Sequence, residues 1–399
     1  MEELKFLVDG LIEVFNFQNG GWKYLVMWAI GGLLIYLAIK KDMEPTLLLP
    51  MGFGTILVNL PISGAIGEVL TNAVGDILRN PETGAPLFEE NGPLSTLFSA
   101  GIANELFPLI LFIGIGAMID FSPVLANPKL MIFGAAAQFG IFLTYAVSSI
   151  FFEPEVAASI GIIGAADGPT AIVVANKLLG EDGKIVGAIM VAAYSYMALV
   201  PIIQPPIIKL LTTKKERMIR MPYEGKQISK TTKILFPIIV TIVAGLVAPS
   251  SVALVGFLMF GNLIRECGVL DGLSDTAQKV LANLITIFLG ITIATRMQAG
   301  DFLRLETLLS LGLGLVAFIF DTAGGVLFAK FLNLFLKKKI NPMIGAAGIS
   351  AFPMSGRVVH KMGLKEDPQN FLLMHSIGVN VSGQIASVIA GGLILNFFM

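Results

Sequence analysis

Long apolar windows without a charged residue constrain the fold of this chain more than any other feature. Residues 185–208, 234–264 and 371–399 contain no Asp, Glu, Lys or Arg, and each window exceeds the roughly 18 apolar residues that cross a membrane as a helix. Charged residues make up 14% of the chain, against about 25% in soluble domains. Because backbone polar groups must be satisfied within lipid, the sequence predicts an all-α polytopic membrane protein.

An internal repeat divides the chain. Residues 111–120 resemble residues 287–296, and a Gly-Ala-Ala motif occurs at 164–166 and again at 345–347. The two spacings, 176 and 181 residues, are nearly equal, which indicates a duplication. The predicted division is N-terminal spans and an extracytoplasmic segment (1–100), a first repeat (101–212), a basic cytoplasmic loop with linking spans (213–276) and a second repeat (277–399).

The positions of basic residues predict the orientation. Basic clusters at 40–41, 209–220 and 337–339 are expected on the cytoplasmic side. Counted from these clusters, each repeat has an odd number of crossings, so the two repeats are predicted to be inverted, a common transporter architecture. The predicted crossings are 22–40, 45–61, 103–120, 129–151, 184–208, 233–249, 251–266, 279–296, 306–335 and 370–397.

Each repeat also contains a segment that is rich in helix breakers. The Gly- and Pro-containing segments 157–178 and 342–361 are predicted to form broken, re-entrant hairpins; full kinked spans are the alternative. Broken helices at membrane depth free backbone carbonyls, which can coordinate cations where the chain lines a cavity.

Asp167 is the leading candidate for an ion site. It lies in the apolar first hairpin, within Gly-Ala-Ala-Asp-Gly-Pro-Thr at 164–170, and an intramembrane carboxylate is a functional site by default. Na⁺ prefers oxygen ligands, which Asp167, Thr170 and freed carbonyls supply. The alternative is a structural cap, because Asp before Gly-Pro also suits a helix N-terminus. We predict Na⁺ binding at Asp167.

Other polar residues in apolar segments are further candidates. Asn380 and Ser387 are seven residues apart and therefore share a helix face, although such groups often only join helices by hydrogen bonds. The same alternative holds for Tyr194 and Tyr196. Asp321 is either a second ion or proton site or a helix-packing feature.

The second hairpin has its own polar cluster. Asn341, Ser350 and Arg357 surround its two prolines. Arg357 can pair with a carboxylate, including one of a substrate, or it can extend to the membrane interface as long basic side chains do.

Composition excludes several other classes of function. The net charge of −1 gives no reason to expect a nucleic-acid partner. A single cysteine and two histidines are too few for a metal site built from those residues. The acidic start of the chain, with Glu2 and Glu3, is unlike a cleavable signal peptide. The sequence has no P-loop, dinucleotide fingerprint or nucleophile–base motif, so an ion path is expected.

Several long motifs resemble one known family. They are Glu-Pro-Thr-Leu-Leu-Leu-Pro at 44–50, Asp-Gly-Pro-Thr-Ala-Ile at 167–172, the run from Ala192 to Pro206, and Asn-Pro-Met-Ile-Gly at 341–345, followed by Ser-Ala-Phe-Pro-Met at 350–354 and Arg357. From about residue 20 to its end, the chain resembles the beta subunit of the sodium-pumping, biotin-dependent decarboxylases, which act on oxaloacetate, methylmalonyl-CoA, glutaconyl-CoA or malonate.

The resemblance implies a membrane subunit that decarboxylates carboxybiotin and exports Na⁺ with proton uptake. Carboxybiotin would arrive on a separate biotin carrier charged by a carboxyltransferase, with no covalent cofactor on this chain. A small single-span subunit, an oligomeric assembly and the cell membrane of a prokaryote are also expected. Position by position, the implied catalytic residues are Asp167, Tyr196 and Arg357, and the implied Na⁺-binding residues are Asp167, Asn341, Gly345, Ser350, Asn380 and Ser387.

Two other functions compete with this interpretation. A secondary Na⁺/H⁺ or Na⁺/organic-anion transporter would share the repeats, the broken hairpins and the buried Asp. A structural anchor for soluble subunits would need no carboxylate at Asp167. Association with a biotin carrier distinguishes the decarboxylase from the transporter.

Overall fold

The fold is almost entirely helical. The computed structural model describes residues 10–72, 77–81, 86–89, 91–180, 185–222, 225 and 227–399. Within these ranges the sheet is limited to β1 (Glu68–Val69) paired with β2 (Phe88–Glu89) in antiparallel orientation. Eight of the described helices are long and apolar enough to cross a membrane, which confirms the all-α polytopic prediction.

The helices follow the predicted crossings closely. In chain order they are α1 (Trp22–Lys41), α2 (Pro45–Val58), α3 (Pro93–Phe98), α4 (Leu106–Met118), α5 (Ser122–Ala126), α6 (Met131–Ala137), α7 (Phe139–Ser148), α8 (Pro154–Gly161), α9 (Gly168–Leu179), α10 (Val186–Leu211), α11 (Lys214–Arg217), α12 (Lys230–Val247), α13 (Val252–Cys267), α14 (Asp271–Asp275), α15 (Ala282–Ile293), α16 (Ala299–Phe302), α17 (Leu305–Phe335), α18 (Met354–Glu366) and α19 (Leu373–Phe398). Short 3₁₀ segments are Phe17–Asn19, Pro128–Leu130, Ile162–Ala165, Pro249–Ser251, Ala294–Arg296 and Pro342–Gly348, and π segments are Ser99–Ala103 and Thr276–Leu281.

Two predicted crossings differ from the structure. The crossing predicted at 45–61 is the 14-residue helix Pro45–Val58, which is shorter than the roughly 18 residues that cross a membrane. The sequence predicted a single span at 103–120, but the apolar helix starts at Pro93 and is bent by 62° between Pro93–Ala103 and Leu106–Met118. At the bend, the Asn104 side chain donates to the Ala100 carbonyl at 2.8 Å and accepts from the Leu106 N–H at 3.1 Å. These side-chain hydrogen bonds replace helical ones, and Glu105 adopts a left-handed φ of 64° at the turn.

Both predicted hairpins contain a break. In the first hairpin, α8 continues into Ile162–Ala165 and stops before α9. In the second hairpin, Pro342–Gly348 is separated from α18 by an extended segment. The direction from which each hairpin enters the membrane stays a prediction.

The order of the elements also recurs along the chain. A π segment precedes α4 and another precedes α15. A broken hairpin precedes α10 and another precedes α19, and both of these helices have 26 residues. Such a parallel is expected of a duplicated chain; the inversion of the repeats and the four-part division stay predictions.

The chain forms two compact units. The first unit contains residues 1–107, 181–191 and 283–311, and the second contains 108–180, 192–282 and 312–399. In the first unit, the buried Asn59 side chain donates to the Met297 carbonyl and accepts from the Ala299 N–H, both at 2.7 Å. All of the site residues named from the sequence lie in the second unit.

The single thiol tests the predicted orientation. Cys267 is a free, partly exposed cysteine at the end of α13, and we place this end on the cytoplasmic side. A membrane-impermeant maleimide should label Cys267 in inverted vesicles and not in intact cells. Cys267→Ser, which removes the one thiol of the chain, gives the background. Labelling from the outside alone would contradict the topology.

Candidate functional site

The first hairpin places Asp167 at the start of a buried helix. Ala166 adopts the left-handed conformation with φ of 52°, which turns the chain after the 3₁₀ segment. Asp167 is then extended and forms the N-cap of α9, with the Thr170 N–H 3.5 Å from its Oδ1. Asp167 therefore has the capping role that the sequence analysis gave as the alternative, but the cap is a single long hydrogen bond to Oδ1.

The other carboxylate oxygen of Asp167 is surrounded by neutral donors. Oδ2 accepts hydrogen bonds from Thr170 Oγ1 at 2.8 Å, Gln384 Nε2 at 3.1 Å and Ser387 Oγ at 2.8 Å. Asp167 is 3% exposed, and no ion pair to it occurs among the described residues. A buried carboxylate without a countercharge is costly, so the arrangement suits a bound cation.

One face of α19 carries the residues that contact both hairpins. Asn380, Gln384 and Ser387 are spaced four and three residues apart and therefore lie on the same side of the helix. Asn380 Nδ2 donates to the Ile349 carbonyl of the second hairpin at 2.7 Å. Its Oδ1 is buried and has no hydrogen-bond partner in the described part of the chain, which leaves this oxygen available to a ligand.

The two hairpins are also joined directly. The Ser350 N–H donates to the Ala165 carbonyl at 2.9 Å, so the extended part of the second hairpin bonds the first Gly-Ala-Ala segment. The Ser350 hydroxyl donates to the Gly383 carbonyl of α19 at 2.9 Å. Ser350 therefore links both hairpins and α19 at the level of Asp167.

Gly345 lies at a close backbone crossing. A Cβ built on Gly345 would be 2.0 Å from the Gly325 carbonyl oxygen of α17, and a Cβ on Gly325 would be 2.1 Å from the Gly345 oxygen. Glycine at both positions allows this approach. The geometry gives Gly345 a packing role, and its assignment to Na⁺ stays a prediction.

Asn341 holds the loop that follows α10. Its Nδ2 donates to the carbonyls of Arg217 at 2.8 Å and Ile219 at 2.9 Å, and its Oδ1 accepts from the Met343 N–H. In the same region, a hydrogen bond from Arg220 lowers the pKa of Asp367. The side chain of Asn341 is thus used in anchoring, and its predicted Na⁺ contact is not tested by these bonds.

Arg357 is exposed on α18. The described residues provide no ion-pair partner for its guanidinium. The buried neighbours Ser355 and Gln204 fix the start of the same helix, since Ser355 Oγ is 3.0 Å from Gln204 Oε1 and 3.1 Å from the Ala346 carbonyl. Arg357 is therefore a free cation on a helix that begins at the second hairpin.

The two tyrosines of α10 have different surroundings. A Cβ on Gly168 would be 2.5 Å from Tyr194 Cζ, so the phenol ring of Tyr194 packs next to Asp167. The Tyr194 hydroxyl is buried without a partner in the described ranges. Tyr196, the tyrosine that the resemblance selected, is half-buried, with its ring edge against Gly314. The structure thus places Tyr194 beside the candidate site, and the role of Tyr196 stays a prediction.

The sequence-based site set omitted Gln384 as well as Tyr194. Gln384 follows Asn380 by four residues, so the helical period that linked Asn380 to Ser387 also pointed to it. No comparable signal separated Tyr194 from Tyr196, because both lie within one turn of α10.

The comparisons with known proteins agree with the motifs. Residues 23–398 match the family model described as the Na⁺-transporting oxaloacetate decarboxylase beta subunit. The chain is 50% identical to the methylmalonyl-CoA decarboxylase subunit beta of Propionigenium modestum over 94% of each chain. It is 44% identical to the oxaloacetate decarboxylase beta chain of Klebsiella pneumoniae over the whole of both chains. It is 46% identical to a probable oxaloacetate decarboxylase beta chain of Vibrio cholerae over 98% of both chains.

These matches cover nearly the whole chain and include every candidate residue described above. Relatives named for two different substrates share the same type of membrane subunit, and the apolar helices of this chain fit a multi-pass membrane component of a multi-subunit decarboxylase. The chain belongs to the family of Na⁺-transporting oxaloacetate decarboxylase beta subunits.

Proposed function

We propose that this chain decarboxylates carboxybiotin and couples that reaction to the export of Na⁺, with uptake of a proton. The observation that supports this most directly is the buried carboxylate of Asp167, which has neutral hydrogen-bond donors around it. Such a site can hold a monovalent cation as transported substrate and can release it when the surroundings change.

Three of the proposed Na⁺ ligands are groups that lie together beside α9: the carboxylate of Asp167 and the hydroxyls of Thr170 and Ser387. The unpartnered Oδ1 of Asn380, two turns before Ser387 on α19, is a further proposed ligand along the ion path. A hard cation prefers such ligands. When Na⁺ enters, each hydroxyl turns a lone pair toward the ion, and rotation of the Gln384 amide presents its oxygen as well.

The proposed chemistry requires one proton for each molecule of CO₂. Cleavage of the C–N bond of carboxybiotin releases CO₂ and leaves a nitrogen that takes up a proton. Arg357, free and exposed on α18, would hold the carboxylate of the incoming carboxybiotin. Decarboxylation removes the carboxylate that Arg357 binds, so the conformation that binds carboxybiotin loses this interaction. A ligand shifts a conformational equilibrium only when it binds the two conformations with different affinity.

The remaining components of the proposed complex lie outside this chain. They are a carboxyltransferase, a biotin carrier and a small single-span subunit, assembled as an oligomer in the cell membrane of a prokaryote. Relatives act on methylmalonyl-CoA or oxaloacetate according to their names. We propose that the carboxyltransferase selects the acid and that this chain meets carboxybiotin alone.

The function is tested with the complete complex in inverted vesicles. We expect Na⁺-dependent decarboxylation together with uptake of radiolabelled Na⁺, and we expect a biotinylated polypeptide to co-purify with this chain. Na⁺ exchange for protons or organic anions by the purified chain, with no biotinylated partner, would favour a secondary transporter.

The proposed role of Arg357 is tested by Arg357→Lys. Lysine keeps the charge but loses the planar fork that pairs with a carboxylate. A hydrogen bond to a charged group contributes about 1.5–3 kcal/mol, so we expect decarboxylation of free carboxybiotin to fall by about 10- to 100-fold. Turnover is measured with free carboxybiotin at saturating Na⁺.

Lys365→Arg is the matched control, because Lys365 is an exposed cation on the same helix. It should keep wild-type turnover. Wild-type turnover in Arg357→Lys as well would assign Arg357 to the membrane interface.

A further inference from the structure

A second buried carboxyl, that of Asp321, lies at the break between α6 and α7. Asp321 is 0% exposed and lies near the middle of α17. Its Oδ1 accepts the Ile141 N–H in the first turn of α7 at 3.1 Å, so it caps that helix from a neighbouring one. The same N–H also bonds the Gln138 carbonyl at 3.1 Å, so the carboxylate supplements the backbone hydrogen bonds where the chain breaks.

The other oxygen of Asp321 has no such use. Oδ2 is buried and has no hydrogen-bond partner among the residues that the structure describes. It faces the first hairpin, since a Cβ on Gly164 would be 2.5 Å from it and 2.9 Å from the Ala317 side chain. Asp321 is thus surrounded by backbone and apolar atoms of α7, α17 and the hairpin. Asp167, the other buried carboxylate, makes its hydrogen bonds to Thr170, Gln384 and Ser387 instead. An Asn would cap equally well, so capping alone does not account for a carboxylate.

Two buried hydroxyls lie on the face of α7 that contacts Asp321. Gly140, Thr144 and Ser148 are spaced four residues apart and lie on one helix face. Gly140 contacts Asp321, because a Cβ there would be 2.3 Å from Oδ1. The hydroxyls of Thr144 and Ser148 are buried and unpartnered in the described ranges. Ser149, the next residue, is exposed and bonds the Tyr145 carbonyl in the usual way.

We propose that Asp321 is a proton-binding carboxyl distinct from the Na⁺ site, and that protons reach its carboxyl group from the end of α7 along the helix face that carries Thr144 and Ser148. In the predicted topology this end is extracytoplasmic. The carboxylate takes up one proton from outside and later releases it toward the cytoplasm, where decarboxylation consumes one proton. This inference rests on the proposed function, because that reaction supplies the demand for protons.

The location also explains how the two ions are coupled. Asp321 faces Gly164, and Asp167 lies three residues later, at the break of the same hairpin. Protonation removes a charge from one side of the hairpin while Na⁺ occupies the other. Both ions therefore act on one structural element, which is what coupling between sites requires.

The test uses the complete complex in inverted vesicles with a pH dye trapped in the lumen and the membrane potential clamped. In the wild type, the lumen should become alkaline as substrate is decarboxylated. Asp321→Asn keeps the cap and should slow this change at least tenfold. Thr144→Val and Ser148→Ala should slow it severalfold and make Na⁺ uptake more sensitive to a high luminal pH. Thr241→Val is the control, because its hydroxyl is bonded to the Pro237 carbonyl at 2.8 Å, and it should match the wild type.

A second measurement does not depend on turnover. The infrared band of a protonated carboxyl should be present in the wild type, titrate with luminal pH and disappear in Asp321→Asn. Wild-type alkalinisation in an assembled Asp321→Asn complex would overturn the inference. So would Na⁺ uptake by the wild type with no luminal pH change, an outcome that leaves carboxybiotin decarboxylation and Na⁺ export intact. If the wild type takes up no Na⁺, the proposed function fails, and the infrared titration alone decides whether Asp321 binds a proton. If the Asp321→Asn complex does not assemble, the inference is tested by luminal alkalinisation in Thr144→Val and by the infrared titration of the wild type.

Discussion

Replacement of Asp167 by Asn is expected to abolish Na⁺ transport and Na⁺-dependent decarboxylation while the complex still assembles. The Asn oxygen can accept the hydrogen bonds from Thr170, Gln384 and Ser387, and Asn caps a helix about as well as Asp. What is lost is the charge opposite Na⁺. At a separation of about 4 Å and an effective dielectric constant of about 20, that charge contributes about 4 kcal/mol, or roughly a thousandfold in Na⁺ affinity.

The measurement is radiolabelled Na⁺ uptake and decarboxylation in inverted vesicles, together with the yield of assembled complex. Asp275→Asn is the matched control, because Asp275 is 65% exposed and pairs with Lys279 on the surface, and it should pump at the wild-type rate. An assembled Asp167→Asn complex that pumps Na⁺ normally would reduce Asp167 to a helix cap.

Replacement of Gly345 by Ala is expected to prevent stable folding of the second unit. The added Cβ would be 2.0 Å from the Gly325 carbonyl oxygen, and both partners are backbone atoms that cannot rotate away. Overpacking of a core typically costs about 1–3 kcal/mol, and a contact this short requires α17 and the hairpin to separate. Thermal unfolding of the purified protein should show a lower midpoint, or little assembled complex should be recovered.

Gly312→Ala in α17 is the control, because open space surrounds that position. It should be neutral or more stable by up to about 1 kcal/mol, since Ala favours a helix over Gly. A Gly345→Ala protein with wild-type stability and impaired Na⁺ binding would instead support the ion-binding role that the family resemblance assigns to Gly345.

The parts of the fold that depend on local sequence were predictable. Uncharged windows fixed the positions of helices such as α10 and α19, and Gly and Pro marked both hairpin breaks. The bend at Asn104 was missed because it depends on side-chain hydrogen bonds in an otherwise apolar run. The contact of Ser387 with Asp167 was suggested by helical spacing, but the direction of a helix face is set by its neighbours.

Residue roles were harder to predict than positions. Asn341 looks like a polar ligand in the sequence, yet its amide is occupied by carbonyls of a loop more than one hundred residues earlier in the chain. Tyr194 and Tyr196 are equivalent by composition, and long-range packing alone places Tyr194 against Gly168. Contacts of this kind between distant segments leave no local pattern.

The way in which Asn341 holds the loop after α10 affects which positions of the loop can vary in evolution. Asn341 and Asn370 both bond the Arg217 carbonyl, and every amino acid has a carbonyl. These two contacts specify the main chain of the loop and not the identity of its side chains, whereas Arg217 and Arg220 add ion pairs to Glu366 and Asp367. Exposed positions such as Lys214 and Lys215 are free to diversify with the surface of a soluble partner, while the hairpin that Asn341 begins keeps its geometry.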